Sequence, residues 1–255
     1  MAASSIRCLA QKIIIMSKRM NKRIFKTARK LHKWLGYFLV IQIFAWLLGG
    51  LFMSAMPLEK VHGKHLANRQ LENPFSQADY TASLDKIIAN TPQPQQINYS
   101  HFLNTPVITV TTASKIYSFN GVTGNPLPPP SKAQIIANAQ AHLLIKANVI
   151  STKKLATSFR EAGFKENIWQ VNFNDMLSTS LYFNADNGEF ITVRSNIWRV
   201  FDFFWMLHIM DYDEREDFNN PLLISFAASS VFFSFTGFIL LLQNIRFRTR
   251  KRQLS

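Results

Sequence analysis

Two stretches of this chain carry no charge and few polar residues, and the segment between them alternates apolar with polar positions. Residues 34–56 (WLGYFLVIQIFAWLLGGLFMSAM) and 218–245 (FNNPLLISFAASSVFFSFTGFILLLQNI, apolar from about Pro221) are the uncharged stretches. About 20 apolar residues cross the hydrocarbon of a bilayer, so each predicts a transmembrane helix. Buried helices of soluble proteins rarely run so long without a charge. In the middle, residues 107–127 and 171–191 alternate at period two, the pattern of half-buried strands. They superpose at an offset of 64, with Val107 on Val171, Phe119 on Phe183, Gly124 on Gly188 and Leu127 on Ile191. The turns VTGN and ADNG supply Gly or Asn where a positive φ is needed. Helix-like stretches at 76–90 and 131–145 precede the copies, each opening on a serine suited to an N-cap.

These elements predict an α+β membrane protein. Two transmembrane helices flank an external domain, residues 57–197, built from two α-β-β-β repeats over about 76–130 and 131–197. Residues 198–217 form an aromatic interfacial helix and an acidic loop.

Charge sets the orientation. No Asp or Glu occurs before Glu59 or after Asp217, whereas ten Lys or Arg lie between Arg7 and Lys33 and five more between Arg246 and Arg252. The formal charge of +14 therefore belongs to the two tails, 1–33 and 246–255, and the middle is close to neutral. That argues for a lipid bilayer as the partner and against nucleic acid. Basic residues flanking the outer ends of both stretches put both termini in the cytoplasm. In a Gram-negative bacterium the middle is then periplasmic and the helices lie in the inner membrane. The first apolar stretch exceeds a signal peptide's usual h-region and MSAMP is a poor cleavage site, so a retained anchor is expected. Met16 and Met20 offer alternative starts. Cys8 is the only cysteine, so the external domain has no disulfide.

No HExxH, phosphate loop or nucleophile elbow occurs, and no acid pair has a spacing suited to acid–base catalysis. Six histidines remain. His32 lies near the inner end of the first span, His62 and His65 just beyond its outer end, and His101 and His142 in the repeats. His208 shares a helical face with Trp198, Phe201, Trp205 and Tyr212, at three- or four-residue spacing, which suits a helix at the outer headgroups. The run Asp211, Asp213, Glu214, Glu216 and Asp217 has no EF-hand spacing and predicts a solvated loop rather than a metal site.

The stretch WQVNFND…STSLYFNADNGEFI after a helix, together with LHKWLGYFLVIQIFAWLLGGLF at the first span, resembles the PepSY-associated transmembrane proteins over roughly residues 28–245. Some members of that family are iron–siderophore reductases with haem held by histidines at both faces of a helix bundle. The resemblance implies haem b as cofactor, with His32, His62 and His208 as cofactor-binding residues, in an electron-transfer or iron-reduction component. This chain has two spans where those reductases have four, so a homodimer or a membrane partner subunit would complete the bundle. PepSY modules also occur in protease propeptides, which implies the alternative of a binding or regulatory module for a peptide, protease or envelope protein. On the redox reading His208 approaches His62 or His65 across a gap of roughly 4 Å, the width of two metal–imidazole bonds. His32 then lies on the order of 35 Å away, at 1.5 Å per helical residue.

Overall fold

The structure, a computed structural model, describes residues 2–71, 76–157 and 159–252, with side chains between 23 and 242. In chain order the helices are α1 (Ala2–Ala55), α2 (Leu58–Val61), α3 (Leu84–Ala89), α4 (Lys132–His142), α5 (Asn196–Ile209) and α6 (Pro221–Arg252). The strands are β1 (Gln96–Phe102), β2 (Thr105–Thr111), β3 (Ile116–Asn120), β4 (Val149–Leu155), β5 (Ile168–Phe173), β6 (Ser180–Asn184) and β7 (Phe190–Arg194). Contacts divide the chain into two units, Met1–Phe52 with Phe204–Ser255, and Met53–Phe203.

The first unit is helical, and two of its segments, Arg23–Ala55 and Pro221–Leu242, are long and apolar enough to cross a membrane. Only 11% and 6% of their most apolar windows is buried, unlike the covered core helix of a soluble protein. α6 starts three residues later than the apolar run. Asn220 Oδ1 accepts the Leu223 N–H at 2.8 Å, and Pro221 fills the first helical position, where its missing N–H costs nothing.

The last turns of α5 pack along α1 rather than standing apart as a surface helix. The Phe204 ring lies 5.0 Å from that of Phe52, and Gln42 Nε2 donates to the Leu207 carbonyl at 2.8 Å. Further down α1 the neighbour becomes α6, with Phe226 stacked on Phe38 at 5.1 Å and Phe233 on His32 at 4.1 Å. The expected single aromatic face of α5 is therefore divided. His208 faces α1, Trp205 turns to the following loop and donates to the Arg215 carbonyl at 3.2 Å, and Tyr212 lies beyond the helix.

The second unit holds two antiparallel sheets, ordered β1-β2-β3 and β4-β5-β6-β7. Each repeat has a leading strand, β1 or β4, that its weak alternation concealed; exposed and half-buried positions dominate both, as in QINYSHF and VISTKKL. The offset of 64 holds from β3/β6 onward. Asn120 and Asn184 each close the next turn with side-chain oxygens accepting main-chain N–H groups, and Gly124 and Gly188 have φ of +75° and +73°. It fails one strand earlier. Val107 pairs with Asn120, whereas the partner of Asn184 is Ile168, so Val107 corresponds to Ile168 and Val110 to Val171. The longer β5–β6 hairpin, bound around Asp175, absorbs the three-residue difference.

The last strand of the first copy, the counterpart of β7, is reduced to one bridge, Phe119 to Pro126, equivalent to the Phe183–Phe190 pair. Pro126 and the prolines at 128–130 lack the N–H donors a ladder requires.

The first helix of the pair is also shorter than its pattern suggested. A 3-10 turn at Gln77–Asp79 precedes α3, which starts after Ser83 rather than Ser76. α4 matches its signal, with a full capping box between Ser131 and Gln134. The main core packs α4 (Ile135, Ala139) and an extension after α2 (Leu66, Ala67) on one face of the second sheet, against Val171, Phe173, Leu181, Phe183 and Val193.

Candidate functional site

The histidines of the helical unit are placed first by their neighbours. His32 Nδ1 is 3.0 Å from Thr236 Oγ1 and 3.1 Å from the Phe233 carbonyl. The threonine hydroxyl already donates to that carbonyl at 2.8 Å, so both oxygens accept from an Nδ1–H and the tautomer is fixed. Gly237 leaves room for the ring, because a Cβ there would stand 3.1 Å from its Cε1. His208 is exposed, with its ring 6.2 Å from that of Trp46, whose buried Nε1 has no protein acceptor among the described residues. Fourteen residues of α1 separate His32 from Trp46, on the order of 20 Å, so His32 and His208 do not converge. This unit by itself brings no two imidazoles to a single haem.

His62 and His65 belong to the other unit. His62 follows α2 and ends it, and Gly63 (φ +70°) then lets the chain press onto the sheet, where a Cβ would stand 2.7 Å from Val193. Burial and the nearby Arg69, Arg194 and Lys64 lower the pKa of His62. His65 is exposed. Among the described residues no group of three or more His, Cys, Asp or Glu could hold a metal ion.

The chemistry that sequence reasoning passed over lies between the repeats. A cleft of about 640 Å³ runs from the edge strand β1 of the first repeat to α4 and the β6–β7 turn of the second. Asn138 and His142, one turn apart on α4, are 3% and 6% exposed and both line it. The main chain around Asn68 locks the end of α4: Asn68 N–H donates to the His142 carbonyl at 2.8 Å, and the Asn68 carbonyl lies 2.6 Å from His142 Nδ1. A carbonyl can only accept, so Nδ1 carries the proton and Nε2 keeps its lone pair. The ring stacks on Phe190 at 4.9 Å. Burial lowers the His142 pKa, opposed in part by the Asn68 carbonyl, so the ring is neutral at pH 7.

Asn138 Nδ2 donates to the Gly188 carbonyl at 3.0 Å, which leaves Oδ1 as its acceptor. Gly188 is where the repeats touch; a Cβ there would stand 2.3 Å from the Phe102 ring of β1. Across the cleft, Tyr80 donates to the Ser100 carbonyl at 2.8 Å and meets Tyr99 and His101 edge-on at 5.0 and 5.8 Å. Among the described residues, Arg69 and Glu189 are the charged side chains lining it.

Behind the second sheet lies a separate ionic network. Glu161 accepts from Tyr182 Oη at 2.7 Å and from Arg199 Nε and Nη2 at 2.8 and 3.0 Å, while Arg160 pairs with Asp202. Burial works to raise the Glu161 pKa, but the hydrogen bonds from Arg199 and Tyr182 outweigh it and lower it. Burial and Glu161 together raise that of Tyr182. This network holds the first turns of α5 on the sheet and is structural.

No protein family, no curated protein and no solved structure matches the chain.

Proposed function

We propose that the protein is a membrane-anchored, non-enzymatic binding module of PepSY type, whose external domain takes a ligand in the cleft between its repeats. The observation that carries this reading is the pair Asn138 and His142. Two side chains buried to this degree normally spend their hydrogen-bonding capacity inside the protein. Here Oδ1 and Nε2 have no protein partner among the described residues, and both residues line a cleft.

In this reading α1 and α6 cross the bilayer with both termini in the cytoplasm. The exposed Asp213, Glu214, Glu216 and Asp217 stay in water, outside the bilayer. The exposed Lys30 and Lys33 reach from α1 toward the inner headgroups.

Thermal unfolding of the detergent-solubilised chain against amines, amino acids, short peptides, sugars and carboxylates tests the cleft. At least one class should raise the midpoint of the wild type but not of Asn98→Trp, an exposed cleft-wall position. Stabilisation of both proteins alike, or of neither, contradicts it.

A second reading, b-type haem in an electron-transfer component, draws support from His32. Its anchored Nδ1–H is the usual companion of an imidazole that ligates through Nε2. The second ligand would come from another copy or a partner subunit. A reduced-minus-oxidised spectrum without haem bands in purified protein removes this reading.

A further inference from the structure

We infer that the group recognised in the cleft is a primary ammonium, seated on His142 Nε2 and Asn138 Oδ1 and countered by the Glu189 carboxylate. This rests on the cleft being the binding site and adds the chemistry of its ligand. The hydrogen-bonding directions are decided by the protein. The Asn68 carbonyl takes the proton on Nδ1 of His142, and the Gly188 carbonyl takes the amide N–H of Asn138. What each presents to the cleft is therefore a lone pair, one helical turn apart on the same face of α4. Two acceptors side by side bind a donor with at least two hydrogens and repel an anion. A carboxylate or phosphate has no hydrogen to offer either atom.

Charge and ring chemistry narrow the donor further. Glu189 lines the same cleft and is exposed, with its main-chain N–H bound to Asn187 Oδ1 at 3.0 Å, so the turn holds it at the rim. Aromatic faces attract cations, and the cleft is walled by Phe190 on one side and by Tyr80 and Tyr99 on the other. An ammonium uses all three features: it donates three hydrogen bonds, carries positive charge and packs against rings. A neutral amide uses only the first, and a hydroxyl, with a single hydrogen, serves only one of the two acceptors. Arg69, the one cation among the described lining residues, leaves a place for an acceptor elsewhere on an amine ligand.

Isothermal titration of the full chain in detergent with 1,4-diaminobutane and with its N,N′-diacetyl derivative tests the assignment. The diamine should bind at least tenfold more tightly than the diacetyl form. Glu189→Gln, at an exposed position whose side-chain oxygen can still accept from Asn187 Nδ2, should weaken the diamine by about tenfold. Equal binding of the two compounds, or a Glu189→Gln variant that binds as the wild type does, overturns the ammonium assignment. So does silence toward the diamine when another class of compound stabilises the wild type but not Asn98→Trp; that result leaves the cleft as the binding site with a different ligand. Silence toward every class removes both.

Discussion

At the tip of the β6–β7 turn, Gly188 combines a φ of +73° with a Cβ position only 2.3 Å from the Phe102 ring. The backbone conformation alone costs a side chain about 1 kcal/mol, and forcing extra volume into a packed contact adds roughly 1–3 kcal/mol. Gly124 has the same φ, but its nearest neighbour would be Ala82 at an ordinary 3.5 Å. Gly124→Ala should therefore cost about 1 kcal/mol in denaturant unfolding, and Gly188→Ala two to four times that. Equal costs would mean that the repeats do not meet at Phe102. The sequence paired these two glycines correctly, because a turn is local and its Asn and Gly are visible in four letters. It could not show that one of them is also a contact, since Phe102 lies far away along the chain. The same limit hid Asn138 and His142. A histidine whose proton is fixed by the carbonyl of Asn68 looks, in a string of residues, like any histidine on a helix.

Among the elements, strands with one apolar face were legible and strands without one were not. β2, β3, β5 and β6 contribute Ile108, Val110, Phe119, Val171, Leu181 and Phe183 to the cores, and their alternation gave them away. β1 and β4 are edges whose residues are mostly exposed or partly buried, so no period marks them. The three-residue slip between β2 and β5 was invisible for a related reason: Val107 and Val171 are both apolar, and one match in a β pattern does not fix register. The helix start announced at Ser131 was met, the one announced at Ser76 moved to Ser83, and the cap at Asn220 was hidden inside the apolar run. The contact between α1 and α6 was not legible, because its partners lie far apart along the chain: Phe38 with Phe226, and His32 with Phe233 and, 204 residues on, Thr236. Hydrogen bonds between membrane helices contribute on the order of 1 kcal/mol. Thr236→Val, nearly isosteric, should lower the unfolding free energy in detergent by about that amount, and His32→Ala by more, since it also removes the stacking on Phe233. A Thr236→Val variant as stable as the wild type would show that the hydroxyl holds nothing.

For the molecule as a whole, the apolar stretches and the alternating segment carried the architecture, and two apolar helices with antiparallel sheets between them are what formed. Reporter fusions at position 130 should be active only outside the cytoplasm; cytoplasmic activity there would reverse the topology. The proposed cleft lies away from the histidines that the sequence singled out. Histidines at membrane addresses drew attention because position along a span is readable, whereas the cleft exists only once two repeats are folded against each other. Its centre is also where pH acts. The folded-state pKa of His142 is depressed, so the unfolded chain binds the extra proton more readily. Stability from this group is complete above the unfolded value near 6.5 and declines as pH falls below it, levelling off only beneath the depressed folded value. Side-chain 15N NMR of the His142 imidazole in the full chain tests the central claim most directly. At pH 7 the ring should be neutral with its proton on Nδ1, and a ligand that stabilises the wild type but not Asn98→Trp should shift the Nε2 resonance while Nδ1 stays put. A proton on Nε2, or an Nε2 resonance unmoved by every such ligand, would contradict it.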